Sequence, residues 1–268
     1  MKIVDLTPYS IHDSISLCIG SKPGFEQARE EKRRWLEERL PNRVGVKLAY
    51  QDGFLAGMIE YSPIEDTPFP VEGKHLLHIH CIWVLPNFQK LGIGNELVKS
   101  VVNEARIRGR RGVSVIAHDG AFFMPISFFT HQKFRTVDRR NHSELMWREL
   151  DSTNPPKFVK SSFSPTVVPG KVAVDVLYCS QCPWTIKSRE RMTKISREFG
   201  SDVKVRTVKT DDRKMMQDIG DVKGVYINGQ DFFFAATEDD IRKTLTSKTR
   251  LLRSPGSQKP DATIARSG

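Results

Sequence analysis

The chain has 268 residues, 38% of them hydrophobic and 28% charged, with a formal net charge of +10. That length accommodates two ordinary domains with separate cores, and the composition is that of soluble globular proteins, which excludes fibrous and wholly disordered classes. No apolar run is long enough to span a bilayer, and four cysteines (Cys18, Cys81, Cys179, Cys182) are too few and too unevenly spaced for a secreted disulfide framework.

Met1-Lys2-Ile3-Val4 opens into a strand-like pattern, not a signal peptide, so a cytoplasmic location is expected. The basic excess is spread over both halves and interleaved with acids, as in Arg29-Glu30-Glu31-Lys32-Arg33-Arg34. Such patterning reads as a solvated face. With no nucleic-acid module visible, direct nucleic-acid binding is not expected.

In chain order, residues 2–6 read as a strand, and Pro8 opens a helical segment that ends near Gly20. A second amphipathic helix covers residues 25–40 and stops at Pro41-Asn42. Residues 44–50 and 54–61 form two strands joined at Gln51-Asp52-Gly53, an Asp-Gly hairpin signal. Residues 62–74 hold three prolines and three acids and read as a substrate-facing loop. Residues 112–117 form a buried strand ending at His118-Asp119-Gly120. A helix from Pro125 to His131 and strands at 134–138 and 143–150 follow.

Residues 76–107, LLHIHCIWVLPNFQKLGIGNELVKSVVNEARI, organise this half. Alternating β-formers break at Pro86, pass through a glycine turn, and become helix-periodic at Leu97, Val98, Val101, Val102 and Ala105. A strand, a glycine turn and a helix N-terminus together make an anion-binding device, because converging N–H groups face the ligand and glycine admits it closely. The pattern V-x-P-x-x-Q-x-x-G-x-G-x-x-L (Val84, Pro86, Gln89, Gly92, Gly94, Leu97) resembles the acetyl-CoA motif of the GNAT N-acetyltransferases. The element order β-α-α-β-β-β-α-β-α-β-β over residues 1–150 is similar to that family's mixed sheet flanked by helices.

The resemblance implies acetyl-CoA as cofactor. Its pyrophosphate would lie on the backbone of Gln89, Lys90, Leu91, Gly92, Ile93, Gly94 and Asn95. Its pantetheine arm would run along Ile82, Trp83 and Val84, in a splay beside strand 112–117. Side chains of Gln89 and Asn95 are expected to assist, and Arg108, Arg110 and Arg111 are candidates for the 3′-phosphate or for a solvated helix end.

Alternation places His78, His80, Ile82 and Val84 on one strand face and Cys81 on the other. Two imidazoles with an ordinary pKa of about 6.5 suit proton removal near neutrality. The spacing H-x-H-x-x-x-V before the turn is similar to the arylalkylamine N-acetyltransferases, which implies His78 and His80 as the proton-removal route. In the family's F-Y-x-x-x-G-F helix motif, Phe129 stands at the tyrosine position and Lys133 at the glycine. A thiolate would then leave unassisted, or Ser127, Thr130 or His131 would substitute as acid. Tyr61 and His118-Asp119 are further polar candidates.

Residues 151–170, with four prolines, read as a linker. Beyond it, strand 172–178 runs into Cys179-Ser180-Gln181-Cys182. Then come a long helix to Phe199, strand 203–208 and a short helix at 213–219. A hairpin (225–227 and 232–234) turning at Asn228-Gly229 and a helix at 238–245 complete the order. This order over residues 171–252 resembles a thioredoxin-like domain and the YoaP-like module that follows some GNAT domains. Cys179, at a helix N-terminus, is the expected redox nucleophile and Cys182 its resolving thiol. Lys223 occupies the place of that fold's cis-proline. No metal is assigned, because C-x-x-C lacks two further ligands nearby. Residues 253–268 are polar and expected to be disordered.

The sequence thus reads as an α/β (α+β) chain, a GNAT unit followed by a smaller thioredoxin-like one. Its expected activity is direct acetyl transfer from acetyl-CoA to a primary amine. The acceptor stays open between a small molecule and a protein amino group, as does homodimerisation. The alternative is an acyl-CoA-binding or thiol-redox sensing protein with a weak or inactive GNAT unit.

Overall fold

In the computed structural model, the structure describes residues 1–120, 123–220, 224–233 and 235–253. Strand β1 (Lys2–Asp5) leads through helix α1 (Ile11–Ile19) and helix α2 (Glu26–Arg39) to β2 (Gly45–Gln51) and β3 (Phe54–Pro63). The short β4 (Val71–Glu72) precedes β5 (Leu76–Val84), α3 (Ile93–Ile107), β6 (Gly112–His118), α4 (Ile126–His131), β7 (Arg135–Arg140) and β8 (Ser143–Glu149). After β9 (Lys157–Phe158) come β10 (Val172–Tyr178), α5 (Pro183–Arg197), β11 (Val203–Lys209), α6 (Arg213–Ile219), β12 (Gly224–Ile227), β13 (Gln230–Phe232) and α7 (Glu238–Arg253).

A seven-stranded sheet in the order β1-β2-β3-β5-β6-β8-β7 carries the first unit, with β5 and β6 its parallel pair. The helices split by their apolar stripes. Val98, Val101, Val102 and Ala105 of α3 pack on one sheet face with Leu77, Ile79, Val113 and Val115. Ile15 and Ile19 of α1 and Trp35 and Leu36 of α2 cover the other face with Val46, Leu48 and Met58. Lys32 lies four residues after Ala28 and three before Trp35, so it falls within the buried stripe of α2. It is 1% exposed, which corrects the reading of that segment as wholly solvated.

A four-stranded sheet, β11-β10-β12-β13, carries the second unit. Residues 62–74 and 151–170 are irregular, as a loop and a linker should be, apart from the end of β3 and the short β4 and β9, yet they do not run free. β3 extends to Pro63, and β4 pairs antiparallel with β9, so the connecting segment is stitched to the first unit. Arg213 then donates to the carbonyls of Thr67, Phe69 and Val71 at 3.1, 3.0 and 2.8 Å. Ile186 of α5 sits in the core beneath α1 and α2, and Trp184 meets the Phe25 ring edge-on at 5.1 Å. Burial of these apolar side chains holds the two units in contact. Helix α7 runs past residue 245, and the hairpin's second strand begins at Gln230. Lys223, Phe234 and the expected tail beyond Arg253 lie outside the described residues.

Candidate active site

The turn between β5 and α3 has the backbone of an anion cradle. Lys90 and Gly92 both take positive φ (64° and 80°), and Gly92 is the N-cap of the 15-residue α3. A Cβ built on Gly92 would meet nothing within 4 Å, so open space lies over the turn, whereas one on Gly94 would touch the Phe128 ring at 3.3 Å. The first N–H groups of a helix have no intrahelical partner, which leaves those of this turn for a ligand. These residues therefore fit a pyrophosphate. The two side chains expected to assist are engaged elsewhere. Gln89 Nε2 donates to the Val84 carbonyl at 3.1 Å, closing the turn, and Asn95 Oδ1 accepts from Gln132 Nε2 at 2.8 Å. Leu91 is exposed and Ile93 is buried beneath the turn. Arg108 and Arg110 pair with Glu104 and Glu65, and Arg111 donates to the Ser152 carbonyl. They stand at the other end of α3, about 22 Å from its N-terminus, and are corrected to structural roles.

Strand β5 is irregular where the chemistry was expected. Glu60 pairs with Cys81 and Tyr61 with Ile79, leaving His80 as the extra residue of a β-bulge. The bulge resets the pleat. Leu77, Ile79, Ile82 and Val84 all pack on the α3 side, while His78, His80 and Cys81 lie toward the other face. The expected sharing of one face by His78, His80, Ile82 and Val84 is thereby corrected, as is the separation of Cys81 from the histidines. β5 and β6 are joined over only four pairs, Leu76↔Gly112 to Ile79↔Val115, and part from His80 and Ile116 onward. Ile82, Trp83 and Val84 thus flank the parted segment.

His80, 3% exposed, stands where the strands part. Its Nδ1 lies 3.3 Å from Glu60 Oε1, and its Nε2 lies 2.8 Å from Ser62 Oγ and 3.0 Å from Thr67 Oγ1. Glu60 in turn binds Lys32 Nζ at 2.5 Å and accepts from Gln181 Nε2 of the second unit at 2.7 Å. Burial works to raise the Glu60 pKa, but the Lys32 ammonium and His80 overcome it and hold the carboxyl down at about 2. An ionised carboxylate only accepts, so Nδ1 carries the His80 proton and the Nε2 lone pair is left to the Thr67 hydroxyl, because the Ser62 hydroxyl donates to the Pro63 carbonyl at 2.9 Å. Burial lowers the His80 pKa below 6.5, with the Glu60 interaction working against it.

His78 is fully buried. Its Nδ1 lies 3.0 Å from Ser114 Oγ, its Nε2 has no hydrogen-bond partner among the described residues, and burial depresses its pKa well below 6.5. The two rings are 6.0 Å apart, each against Phe69.

At the acid position Phe129 is buried in the core. Thr130 Oγ1 donates to the Ile126 carbonyl at 3.0 Å and His131 Nδ1 to that of Ser127 at 2.6 Å, so both polar groups serve their own helix. Lys133 has a φ of 65°, the conformation a glycine would take at no cost. Tyr61 lies on the α3 side with its hydroxyl pushed up to about 12 by burial, away from His80. His118 Nδ1 lies 2.9 Å from Ser143 Oγ, and Asp119 pairs with His142 at 3.7 Å.

His80, Ile79, Ile116 and His118 line a cavity of about 370 Å³. Phe69, Phe123, Arg140 and Phe158 extend it, and Val225, Tyr226, Asp231, Phe232 and Phe233 of the second unit complete its lining. This volume is within the usual small-molecule range of roughly 300–1,000 Å³.

In the thiol loop, Cys182 is the N-cap of α5 and Pro183 its first residue, the position where proline needs no N–H partner. Cys179, three residues earlier and 1% exposed, is not at the helix terminus where the sequence reading places it. The Thr185 hydroxyl accepts from Cys179 N–H at 3.1 Å and lies 3.0 Å from its carbonyl.

Glu60, Lys32 and Gln181 were not singled out from sequence. Glu60 had a signal, a lone acid inside the apolar run Gly57-Met58-Ile59-Glu60-Tyr61. Gln181 had none, since its partner is 121 residues away.

Residues 11–121 match the acetyltransferase (GNAT) family. The chain is 25% identical over 194 residues to a protein of Bacillus subtilis (strain 168) described as uncharacterized N-acetyltransferase YoaP, covering 69% of this chain and 74% of that one. Among solved structures, the PaiA N-acetyltransferase of Thermoplasma acidophilum, in complex with coenzyme A, is 15% identical with a TM-score of 0.43, over 56% of this chain and 99% of that one. The ribosomal-protein-alanine N-acetyltransferase of Brucella melitensis is 20% identical with a TM-score of 0.44, over 56% and 100%.

Proposed function

We propose the following reading of a chain whose N-terminal unit is an acetyltransferase of the GNAT type: it transfers an acetyl group from acetyl-CoA to a primary amine held in the cavity beside His80. The thioester supplies the acetyl group; the amine nitrogen forms the C–N bond as the C–S bond breaks and the thiolate leaves. The observation that carries this reading is His80 paired with an ionised Glu60, at the point where β5 parts from β6.

The protein's own groups divide the work. The N–H groups of Gly92, Ile93, Gly94 and Asn95 hold the pyrophosphate, with Lys90 and Leu91 shaping the turn that Gln89 closes. Ile82, Trp83 and Val84 line the path of the arm. His80 Nε2 receives the ammonium proton through the hydroxyl of Thr67, and Glu60 steadies the imidazolium from the Nδ1 side. His78 packs against Phe69 beside the bulge and takes no part in the proton transfer. With Phe129 at the tyrosine position, the thiolate leaves without a side-chain acid.

Calorimetry of acetyl-CoA with the full chain, then thiol release in the presence of a pool of primary amines, tests the reading. Binding with amine-dependent thiol release is expected. Binding without release under any amine favours a second reading, in which the protein binds acyl-CoA and senses thiol state. The contact of Gln181, within the Cys179–Cys182 loop, with Glu60 is what favours that alternative.

A further inference from the structure

Gln181 of the second unit donates a hydrogen bond into the Glu60–His80 pair of the first. We propose that Gln181 is a positioning residue for His80, so that the centre built by the first unit is complete only with the second unit docked on it. This role rests on the reading that His80 is the base of acetyl transfer, and it adds to that centre a group from outside the acetyltransferase unit.

Gln181 lies between β10 and α5, in a loop held at both of its neighbours. The Ser180 N–H donates to Asp211 Oδ1 at 2.6 Å, and the Ser180 hydroxyl donates to Glu31 Oε2 at 3.4 Å. Arg189 of α5 holds the same Glu31 at 3.2 Å. On the other side, the Thr185 hydroxyl lies 2.9 Å from the Cys182 carbonyl. Glu31 and Lys32 follow one another on α2. Glu31 grips Ser180, and Lys32 grips Glu60, the carboxylate that Gln181 meets. Consecutive residues of α2 thus address consecutive residues of the loop.

Glu60 is 0% exposed and Gln181 7%, so water is kept from their contact. An ionised carboxylate only accepts, which turns the N–H end of the amide toward it. Oε1 of Glu60 then has two donors, Gln181 Nε2 at 2.7 Å and His80 Nδ1 at 3.3 Å. The amide pins that oxygen, and the oxygen sets the orientation and tautomer of the imidazole. The amide also draws off part of the carboxylate's negative charge. Without it, Glu60 would hold the imidazolium more strongly and favour the protonated ring. Lys32 of α2, Cys18 of α1, His78 and Cys81 of β5, Cys182 beside Gln181 and Arg213 of α6 also act on this cluster. His118, Arg140 and Asp231 share the lining of the cavity with His80. All of them remain when Gln181 is replaced, so a difference between parent and variant reports Gln181.

Gln181→Met keeps an unbranched side chain and removes the donor. In the full chain, the His80 imidazole titration followed by NMR should move to higher pH than in the parent. With acetyl-CoA and a pool of primary amines, kcat should fall about tenfold, as loss of a hydrogen bond to a charged group implies. KM for acetyl-CoA should hold, and the acidic limb of the rate profile should move up with the titration. Ser180→Ala alters the same loop without touching Glu60 and should leave both as in the parent. A second measurement needs no variant: the Gln181 side-chain amide resonances of the parent should shift with the midpoint of His80. A His80 titration identical in parent and Gln181→Met, one moved equally by Ser180→Ala, or Gln181 amide resonances indifferent to His80 would overturn the proposal. If the titration moves but the parent releases no thiol with any amine, the acetyl-transfer reading fails and the link from Gln181 to His80 stands.

Discussion

Gln181 Nε2 and His80 Nδ1 meet the same carboxylate oxygen, Glu60 Oε1, at 2.7 and 3.3 Å. A side chain flanked by Cys179 and Cys182 in the second unit thus helps orient the acid that orients the histidine of the first. Lys32 occupies the other oxygen, so the carboxylate is held from three directions.

Glu60→Gln should therefore be costly to the fold. Lys32 is buried and its ammonium is held charged by Glu60 against the opposing effect of burial. Removing one partner of a buried ion pair typically costs about 3–5 kcal/mol, because the remaining charge has no compensation. Urea denaturation of the variant measures it; a loss below about 1 kcal/mol would mean that Lys32 finds water.

His80→Gln should lower turnover by the ~10²–10⁴ that general-base catalysis contributes, with acetyl-CoA affinity little changed. The His80 pKa is depressed, so the base is already neutral above pH 6.5 and the acidic limb of the rate profile should lie below that value. An acidic limb centred above 6.5 would assign the base to another group.

Stability should fall with acid in two stages. His78 and His80 have folded pKa values below 6.5, so beneath that pH the unfolded chain takes up protons that the folded one refuses. Each histidine then contributes a loss of about 1.4 kcal/mol per pH unit until its folded pKa is reached. Glu60, held at about 2 against an ordinary 4.5, adds a further loss as pH falls from 4.5 toward 2. Melting temperatures measured from pH 8 to 2 should begin to fall once the pH drops below 6.5, and His78→Gln should make that first stage shallower, leaving the His80 share. A flat profile between 6.5 and 5 would contradict the neutral burial of the pair.

Gly92→Ala places a Cβ at φ 80°. No neighbour clashes, so only the left-handed backbone penalty of about 1–2 kcal/mol should appear in stability. Gly92→Glu should abolish acetyl-CoA binding by setting an anion in the cradle. Calorimetry on both variants decides; full affinity in the glutamate variant would remove the turn from the site.

Brief alkylation at pH 8 should label Cys182 before Cys179, which is buried behind Thr185. Cys18 should resist, its thiol pushed up to about 12 chiefly by burial. Glutathione disulfide is expected to convert Cys179 and Cys182 to a disulfide, releasing two glutathione thiols and shifting acetyl-transfer rate through Gln181. Mass spectrometry after alkylation follows the pair; thiols that never pair under this oxidant would end the redox reading.

All the elements but the two-residue β4 and β9 are legible in the sequence, because strand alternation, helical periodicity, Pro125, Asp52-Gly53 and Asn228-Gly229 act within a few residues. The sequence by itself also determined the glycine turn at Gly92, whose positive φ is a local backbone demand. Two things were decided only by tertiary structure. The face on which His80 and Cys81 lie depends on a bulge, and a bulge is set by the register of β5 against Glu60 and Tyr61 on another strand. The seat of the second unit depends on burying Ile186 and Trp184 against α1 and α2 and on Arg213 finding three carbonyls of residues 67–71. Neither leaves a periodic trace in the chain, because each pairs groups distant in sequence whose match exists only once both surfaces have formed.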